Sequence, residues 1–293
     1  MKRILVVGDS AFTTNQAHNK DEFGDFLRKT LDDTAIVDTV SVDKIIFTIR
    51  KGEFEAVAYD EEINLRNYDA IYVRSLRRFA YHVSQFAKYH GITCINDYSI
   101  YYTGSKSAQA VVFLQAGVDF IPSYYAVNTA VLVQYMASTV GYPYILKANN
   151  GAQGNSNYLI RTQEDATKVL REEPNEDFIA QEFCPNDRDY RLLVVGDSTL
   201  LFQRQGQANT HLNNTSKGGV ASPVSADLIP AHMIDEAKAI CLTLGLTVAG
   251  FDLIPNIETG SVYFLEINSQ PQLRTGALLE EKQKLIRNLF ESI

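Results

Sequence analysis

Between Tyr144 and Asn157 the chain reads YILKANNGAQGNSN: a short apolar run, a lysine at its end, then small polar residues punctuated by Gly151 and Gly154. Tyr144, Ile145 and Leu146 have the character of a strand, and the glycines release the backbone into a loop. Such a loop lets backbone N–H groups approach phosphate oxygens, while the Lys147 ammonium adds a point charge that tolerates imperfect geometry. A plain hairpin turn fits the same residues. The phosphate reading therefore needs support from elsewhere in the chain.

That support lies near the other end, in two acidic strands. Val248 to Pro255 reads VAGFDLIP and Val262 to Asn268 reads VYFLEIN, each β-rich and each carrying one carboxylate. Alternation along a strand puts Glu266 and Asn268 on one face, where Asp252 can join them. Hard oxygen donors of this kind suit Mg²⁺, with Mn²⁺ as the alternative ion. The contrary reading makes both acids solvated positions on half-buried strands. The apolar neighbours in FDLI and FLEI oppose it, because a buried carboxylate without a partner is costly.

Composition narrows the function classes. A chain of 293 residues, 45% hydrophobic, can bury a sizeable core and divide into two or more lobes. A net charge of −8 and a pI near 5.2 oppose nucleic-acid binding as the default. Cys94, Cys184 and Cys241 are widely separated, lack metal-ligand spacing and are odd in number, which fits reduced thiols in a cytoplasmic protein. The apolar run in MKRILVVGDS is too short for a signal-peptide core or a membrane span, so no membrane partner is expected.

In chain order, Arg3 to Val7 reads as the buried first strand of an α/β domain, but VVGDSAFTTN lacks the G-x-G-x-x-G of a dinucleotide site. Periodicity predicts helices over Asp21 to Leu31, Phe79 to His90, Ser107 to Ala116, Thr129 to Val140, Ala231 to Leu244 and Leu278 to Leu289. The last, rich in charge, reads as a solvated face. Tyr68 to Val73 is a strand ending at Arg74, and Thr93 to Asn96 another, with Asn96-Asp97 as a lobe boundary. Ser105 or Thr103 can cap the helix that Lys106 opens. Arg191 to Val195 and Leu200 to Gln203 form a hairpin about Gly196-Asp197. The loop from Gln205 to Gly219 is polar and predicted to be mobile until ligand binds.

Taken together, Lys147 in K-x-x-x-G-x-x-G, Gln181-Glu182-Phe183, Asp189-Tyr190-Arg191, Asn214 with Lys217-Gly218-Gly219, Ala249-Gly250-Phe251-Asp252 and Glu266-Ile267-Asn268 resemble the ATP-grasp superfamily in its RimK-like branch. The motifs stand in family order and span nearly the whole chain. The resemblance implies an α/β protein of ATP-grasp fold with an N-terminal Rossmann-like domain over residues 1–96, a central lobe over 97–184 and a C-terminal lobe with the metal site over 185–293. It implies an ATP- and Mg²⁺-dependent ligase that joins a carboxylate to an amine through an acyl phosphate and releases ADP.

Roles follow from the resemblance. Lys106 and Lys147 lie on nucleotide phosphates with Gly151 and Gly154. Gln181, Glu182, Phe183 and Cys184 form the adenine hinge, Asp189 lies near the ribose, and Asn214 completes the nucleotide site. Asp252, Glu266 and Asn268 hold the metal. Arg204 neutralises the transferring phosphate and the tetrahedral oxyanion. Arg74, Lys217 and Gly218 meet substrate, Arg74 as a carboxylate clamp or else as a residue paired with surface acids. Lys217 stands where the family has arginine, which leaves a bidentate contact open, and Gln272 departs from the small residue after the family's proline. His211 is either a base or a solvated loop residue. No histidine arrangement accompanies Cys184 to make it a nucleophile. The substrates are a carboxylate and an amine, on small molecules or on a peptide or protein of the RimK-like or peptide-cyclising type. A catalytically silent nucleotide-binding protein, a kinase-like phosphotransferase and a homo-oligomer stay open.

Overall fold

The computed structural model describes residues 1–9, 22–58, 61–75, 78–99, 104–150, 156–205 and 220–293. Strand β1 (Lys2–Gly8) pairs in parallel with β2 (Ala35–Ser41) and β6 (Ala70–Arg74), and β7 (Thr93–Ile95) extends this sheet in the order β2-β1-β6-β7. Ile4 to Val7 are buried, as expected of a parallel strand covered on both faces. Helices α1 (Glu22–Thr30) and α2 (Phe79–His90) lie where periodicity places them, within the described residues. Residues 35–64, to which pattern alone assigns no element, build β2 and a small antiparallel sheet of β3 (Ile45–Arg50), β4 (Glu53–Ala58) and β5 (Ile63–Asn64).

The second sheet is antiparallel, in the order β10-β9-β11-β8, from β8 (Ser123–Tyr125), β9 (Tyr144–Ala148), β10 (Asn157–Ile160) and β11 (Phe178–Glu182). Tyr144, Leu146, Ala148, Phe178 and Ala180 are buried. Most of these pack with Leu132, Val133 and Met136 in a core that shares nothing with the other two apolar clusters. Helix α4 (Thr129–Tyr135) continues as one π-helical turn over Met136–Val140, where Gly141 donates to the Met136 carbonyl, so the expected single helix changes pitch before it ends. Helix α5 (Gln163–Glu172) begins with a capping box between Thr162 and Asp165.

The third sheet, β14-β13-β12-β15-β16, comprises β12 (Asp189–Val195), β13 (Ser198–Gln205), β14 (Val220–Pro223), β15 (Val248–Pro255) and β16 (Val262–Asn268). The predicted hairpin closes at Gly196, which takes φ +56°. Helix α6 (His232–Leu244) buries Met233, Ala237, Ile240, Cys241 and Leu244. Helix α3 (Lys106–Ala116), capped by Ser105 as expected, joins the same cluster through Phe113. Helix α7 (Leu279–Ser292) departs from the solvated face read in the sequence. It buries Lys282, Ile286, Leu289 and Phe290, because the N-terminal and third sheets offer it a shared apolar seam.

Asn96 locks these two sheets together. Its amide donates to the carbonyls of Val248 and Ser269 and accepts from the N–H groups of Thr247 and Val248, all within 3.0 Å. Next to it Gly245, at φ +71°, approaches Asp97 so closely that a Cβ would lie 2.4 Å from the Asp97 carbonyl oxygen. Only glycine fits there.

Candidate active site

Strand register puts the chemistry on one face of the third sheet. Asp189 faces Arg204 across β12 and β13, Arg191 faces Asp252 across β12 and β15, and Asp252 faces Glu266 across β15 and β16. Asn268 follows opposite Gly250. The intervening residues, among them Tyr190, Leu192, Phe251, Leu253 and Ile267, belong to the apolar cluster shared with α6. Period-two alternation thus sets one apolar face against another that is polar at the Asp189–Arg191–Asp252 end and apolar where Leu193, Val195 and Val248 pack under α7.

On that face a buried ion network runs from Asp189 to Arg191. Arg204 Nε donates to Asp189 Oδ1 at 2.6 Å, and Arg204 Nη2 lies 3.0 Å from Asp252 Oδ1. Arg191 Nε also reaches Asp252 Oδ1, and its Nη2 donates to Oδ2 at 3.0 Å. Burial pushes the Asp189 carboxyl up to about 6, with Asp252 adding to the rise and Arg204 opposing it. Burial acts on Asp252 in the same direction, but the Arg191 and Arg204 guanidiniums outweigh it and hold this carboxyl low.

The second sheet faces this array across a cleft lined by Ile121, Ile145, Lys147, Glu182, Phe183, Cys184, Ile254 and Leu265, among others. Ile145 and Lys147 point into it because β9 turns Tyr144, Leu146 and Ala148 the other way. Burial lowers Lys147 to about 8, with Lys106 adding to the fall while Glu266 and Asp252 oppose it. Asn149, buried just before Gly151, ties this strand to α3. Its carbonyl accepts from Lys106 N–H at 2.9 Å, its Oδ1 from Ser107 N–H at 2.8 Å, and its Nδ2 donates to Asp177. Gln109 on α3 clasps the backbone of Ile267, between Glu266 and Asn268, through both side-chain atoms.

A buried lysine aimed into a cleft, an apolar slot beside Glu182 to Cys184, and an acid–amide–arginine face opposite lie together. The family comparison agrees with that geometry: the RimK-like ATP-grasp domain matches residues 105–288. The chain belongs to the RimK-like ATP-grasp family. A probable alpha-L-glutamate ligase of Parasynechococcus marenigrum (strain WH8102) is 33% identical over 140 residues, covering 45% of this chain and 28% of that relative. The chain spans less than half the length of the curated relatives it matches. Among solved structures, macrocyclase MdnC bound with precursor peptide MdnA from Microcystis aeruginosa MRC superposes with TM-score 0.68 at 13% identity, covering 99% of this chain and 100% of that one. A Chryseobacterium gregarium RiPP-associated ATP-grasp ligase, in complex with ADP and a leader and core peptide, gives TM-score 0.69 at 14% identity, covering 100% and 97%. At such identities the likeness establishes the ATP-grasp fold alone. Among the described residues no helix is long and apolar enough to cross a membrane.

In this RimK-like chain the acid and amide donors fit a hard divalent cation. Asp252 Oδ1 is buried within ion-pair reach of both guanidiniums, yet no N–H is aligned with it, and Asn268 Nδ2 is buried without a hydrogen bond. The carboxylates of Asp252 and Glu266, opposite each other in the register, and the amide oxygen of Asn268 are the hard oxygen donors that a divalent cation would take. Among the described residues no cluster of three His, Cys, Asp or Glu side chains forms.

Other expected residues fall as follows. Gln181 is buried, and its Nε2 donates to Ser123 Oγ at 2.8 Å, while Glu182 accepts from the Tyr124 hydroxyl at 2.7 Å. Burial raises the Cys184 thiol to about 11, which keeps it un-nucleophilic. Arg74 is buried on the N-terminal sheet, its guanidinium 3.9 Å from the Phe23 ring and Nη1 donating to Tyr72 at 3.0 Å. Gly151, Gly154, His211, Asn214, Lys217 and Gly218 lie outside the described residues. Three residues that pack at the candidate site carry no role in the sequence reading: Arg191, whose place in the D-Y-R motif was the available signal, and Asn149 and Gln109, whose partners are distant in sequence.

Proposed function

We propose that this chain is an ATP- and Mg²⁺-dependent carboxylate–amine ligase that forms an amide through an acyl phosphate and releases ADP. The observation that carries the reading is the pairing, across one cleft, of Lys147 with the Asp252–Glu266–Arg204 face. The chain divides in this reading into residues 1–96, 97–184 and 185–293, with nucleotide between the last two units. Adenine enters the slot of Ile121, Ile145, Ile254 and Leu265 against the hinge at Glu182 to Cys184. Lys147 and Lys106 hold phosphates, and Asp252, Glu266 and Asn268 hold Mg²⁺, or Mn²⁺, which neutralises phosphate charge when bound.

The substrate carboxylate oxygen bonds to the γ-phosphorus as the bond from phosphorus to the ADP oxygen breaks. An amine nitrogen then bonds to the acyl carbon, phosphate departs with the C–O electron pair, and the amine sheds a proton. Arg204, held between Asp189 and Asp252, presents fixed positive charge to both developing anions and needs no rearrangement to do so. Arg74 serves the substrate side. The fold's likeness to structures solved with precursor peptides supports a peptide acceptor or donor.

Purified chain with ATP and Mg²⁺, challenged with pooled amino acids and peptides, should release ADP in an amine-dependent way. Mass spectrometry should then find a condensation product with the mass of both substrates less water. A stable phosphoester in place of an amide would overturn the reading in favour of a kinase.

A further inference from the structure

A second cavity opens on the other side of the segment that walls the proposed adenine slot. Phe120 and Ile121 are neighbours between α3 and β8, yet Phe120 lines this cavity and Ile121 lines the slot. Gln181 and Ser123 repeat the division: Gln181 lines the slot, Ser123 lines the cavity, and Gln181 Nε2 donates to Ser123 Oγ at 2.8 Å between them. The same segment is fixed to the third sheet. Phe264 N–H donates to the Asp119 carbonyl at 2.9 Å, and Ile121 N–H to the Phe264 carbonyl at 3.3 Å. Cavity and slot therefore share a wall where the chain crosses between two sheets.

The other walls come from α3 and the second sheet. Ser107, Ala108 and Ala110 give α3 a wall of small side chains, followed by Val111 and Leu114, both exposed. Ile179 closes the sheet side, because β11 turns Phe178 and Ala180 into the opposite core, and Tyr125 stands across from it on the edge strand β8. The space measures about 430 Å³, within the roughly 300–1,000 Å³ of small-molecule sites. Among the described residues no charged side chain lines it, so nothing there compensates a phosphate, carboxylate or ammonium. Its polar side-chain atoms are hydroxyls, and that of Ser123 is already engaged, donating to the Ile121 carbonyl and accepting from Gln181. Phe120 and Tyr125 add aromatic surface.

We infer that this cavity is a second binding site, for a neutral and mostly apolar aromatic molecule, and that its occupancy alters nucleotide affinity. An occupant touches α3, which Gln109 and Phe113 hold to the third sheet, and at the same time Ile179 and Tyr125 of the second sheet. It thereby bears on the spacing of the two sheets that a nucleotide also bridges. The N-terminus of α3 continues the path to the phosphate end, where Ser107 N–H donates to Asn149 Oδ1 and Lys106 N–H to the Asn149 carbonyl. The coupling rests on the nucleotide reading of the slot; the cavity site does not.

The probe is indole. The chain contains no tryptophan, so indole excited beyond tyrosine absorption reports its own surroundings. Titrated into the full chain, with and without saturating Mg²⁺ and ADP, indole should bind at one site in both cases. Ala110→Leu puts a larger apolar side chain, itself a good helix former, into the cavity. It should weaken indole binding at least about tenfold while the thermal transition stays no lower than that of wild type. Leu114→Lys, at an exposed position, should weaken it in the same direction. ADP affinity, measured by calorimetry, should differ about fivefold or more with indole present in wild type, and not in Ala110→Leu. Absence of indole binding, equal binding in both variants, or complete removal of indole by ADP would overturn the site. Indole binding that falls as chain concentration rises would assign the cavity to a second copy of the chain and overturn it equally. ADP affinity indifferent to bound indole would overturn the coupling. Failure of ADP to bind at all would instead refute the nucleotide reading, and the titrations without ADP would still decide the cavity.

Discussion

Arg204 Nη2 lies 3.0 Å from Asp252 Oδ1, joining the residue that would meet the transferring phosphoryl group to a residue that would hold the metal. The two come from different strands of the third sheet and both are buried. Their contact makes the site's positive and negative halves interdependent: charge lost at one leaves the other with a single partner, Asp189 for Arg204 and Arg191 for Asp252.

Replacing Arg204 with methionine should leave the buried Asp189 without its ion-pair partner and Asp252 with Arg191 alone, and cost about 3 kcal/mol of stability or more. A lysine in its place retains charge but not the geometry of two separate nitrogens reaching two acids. We expect Arg204→Lys to fold with near-normal stability while amide formation falls by about 10²-fold. Denaturant unfolding and steady-state ADP release on the same preparations separate the two effects.

Nucleotide affinity should depend on pH through Lys147. In the free protein burial brings this group to about 8; a phosphate beside the ammonium raises it, so binding takes up a proton above that pH. Affinity should be flat below pH 8 and weaken above it, by up to about tenfold per unit. Calorimetry of ADP binding in buffers of different ionisation enthalpy measures the uptake, and Lys147→Arg should abolish it.

Glu266→Ala removes one of the carboxylates proposed to hold the metal, from a strand position that is not part of the apolar core. The fold should survive, with a transition temperature close to wild type, while Mg²⁺-dependent nucleotide binding and ADP release disappear. Turnover retained by this variant would refute the metal assignment.

Asn96→Ala should be among the most destabilising single changes in the chain. It strips partners from four backbone groups at Thr247, Val248 and Ser269, and places alanine at φ +59°, a conformation asparagine tolerates far better. A loss of about 3 kcal/mol or more is expected by denaturant titration, together with weaker metal-dependent binding, because Ser269 follows Asn268 directly.

Much of the site was legible in the primary structure. Motif order across Lys147, Asp189, Arg204, Asp252, Glu266 and Asn268 points to one family, and alternation alone puts Glu266 and Asn268 on one face. Hairpin and capping signals at Gly196 and Ser105 report geometry set within a few residues, so they survive folding unchanged. The helix over 279–292 shows the limit. Its charges resemble a solvated face, and nothing in its own spacing reveals that Lys282 is turned inward beside Arg191.

Local periodicity and motif order suffice for the fold family, for the strand faces that carry acids and amide, and for the lysine before the glycine loop. Tertiary packing was needed to show that Arg191 and Arg204 share Asp252, that Asn96 binds the N-terminal sheet to the third sheet, that Asn149 joins β9 to α3, and that Lys282 is buried. Those relationships link residues far apart in the chain, 151 positions for Asn96 and Thr247, through sheet register and packing between sheets. Local propensity carries no information about which distant strand supplies the partner.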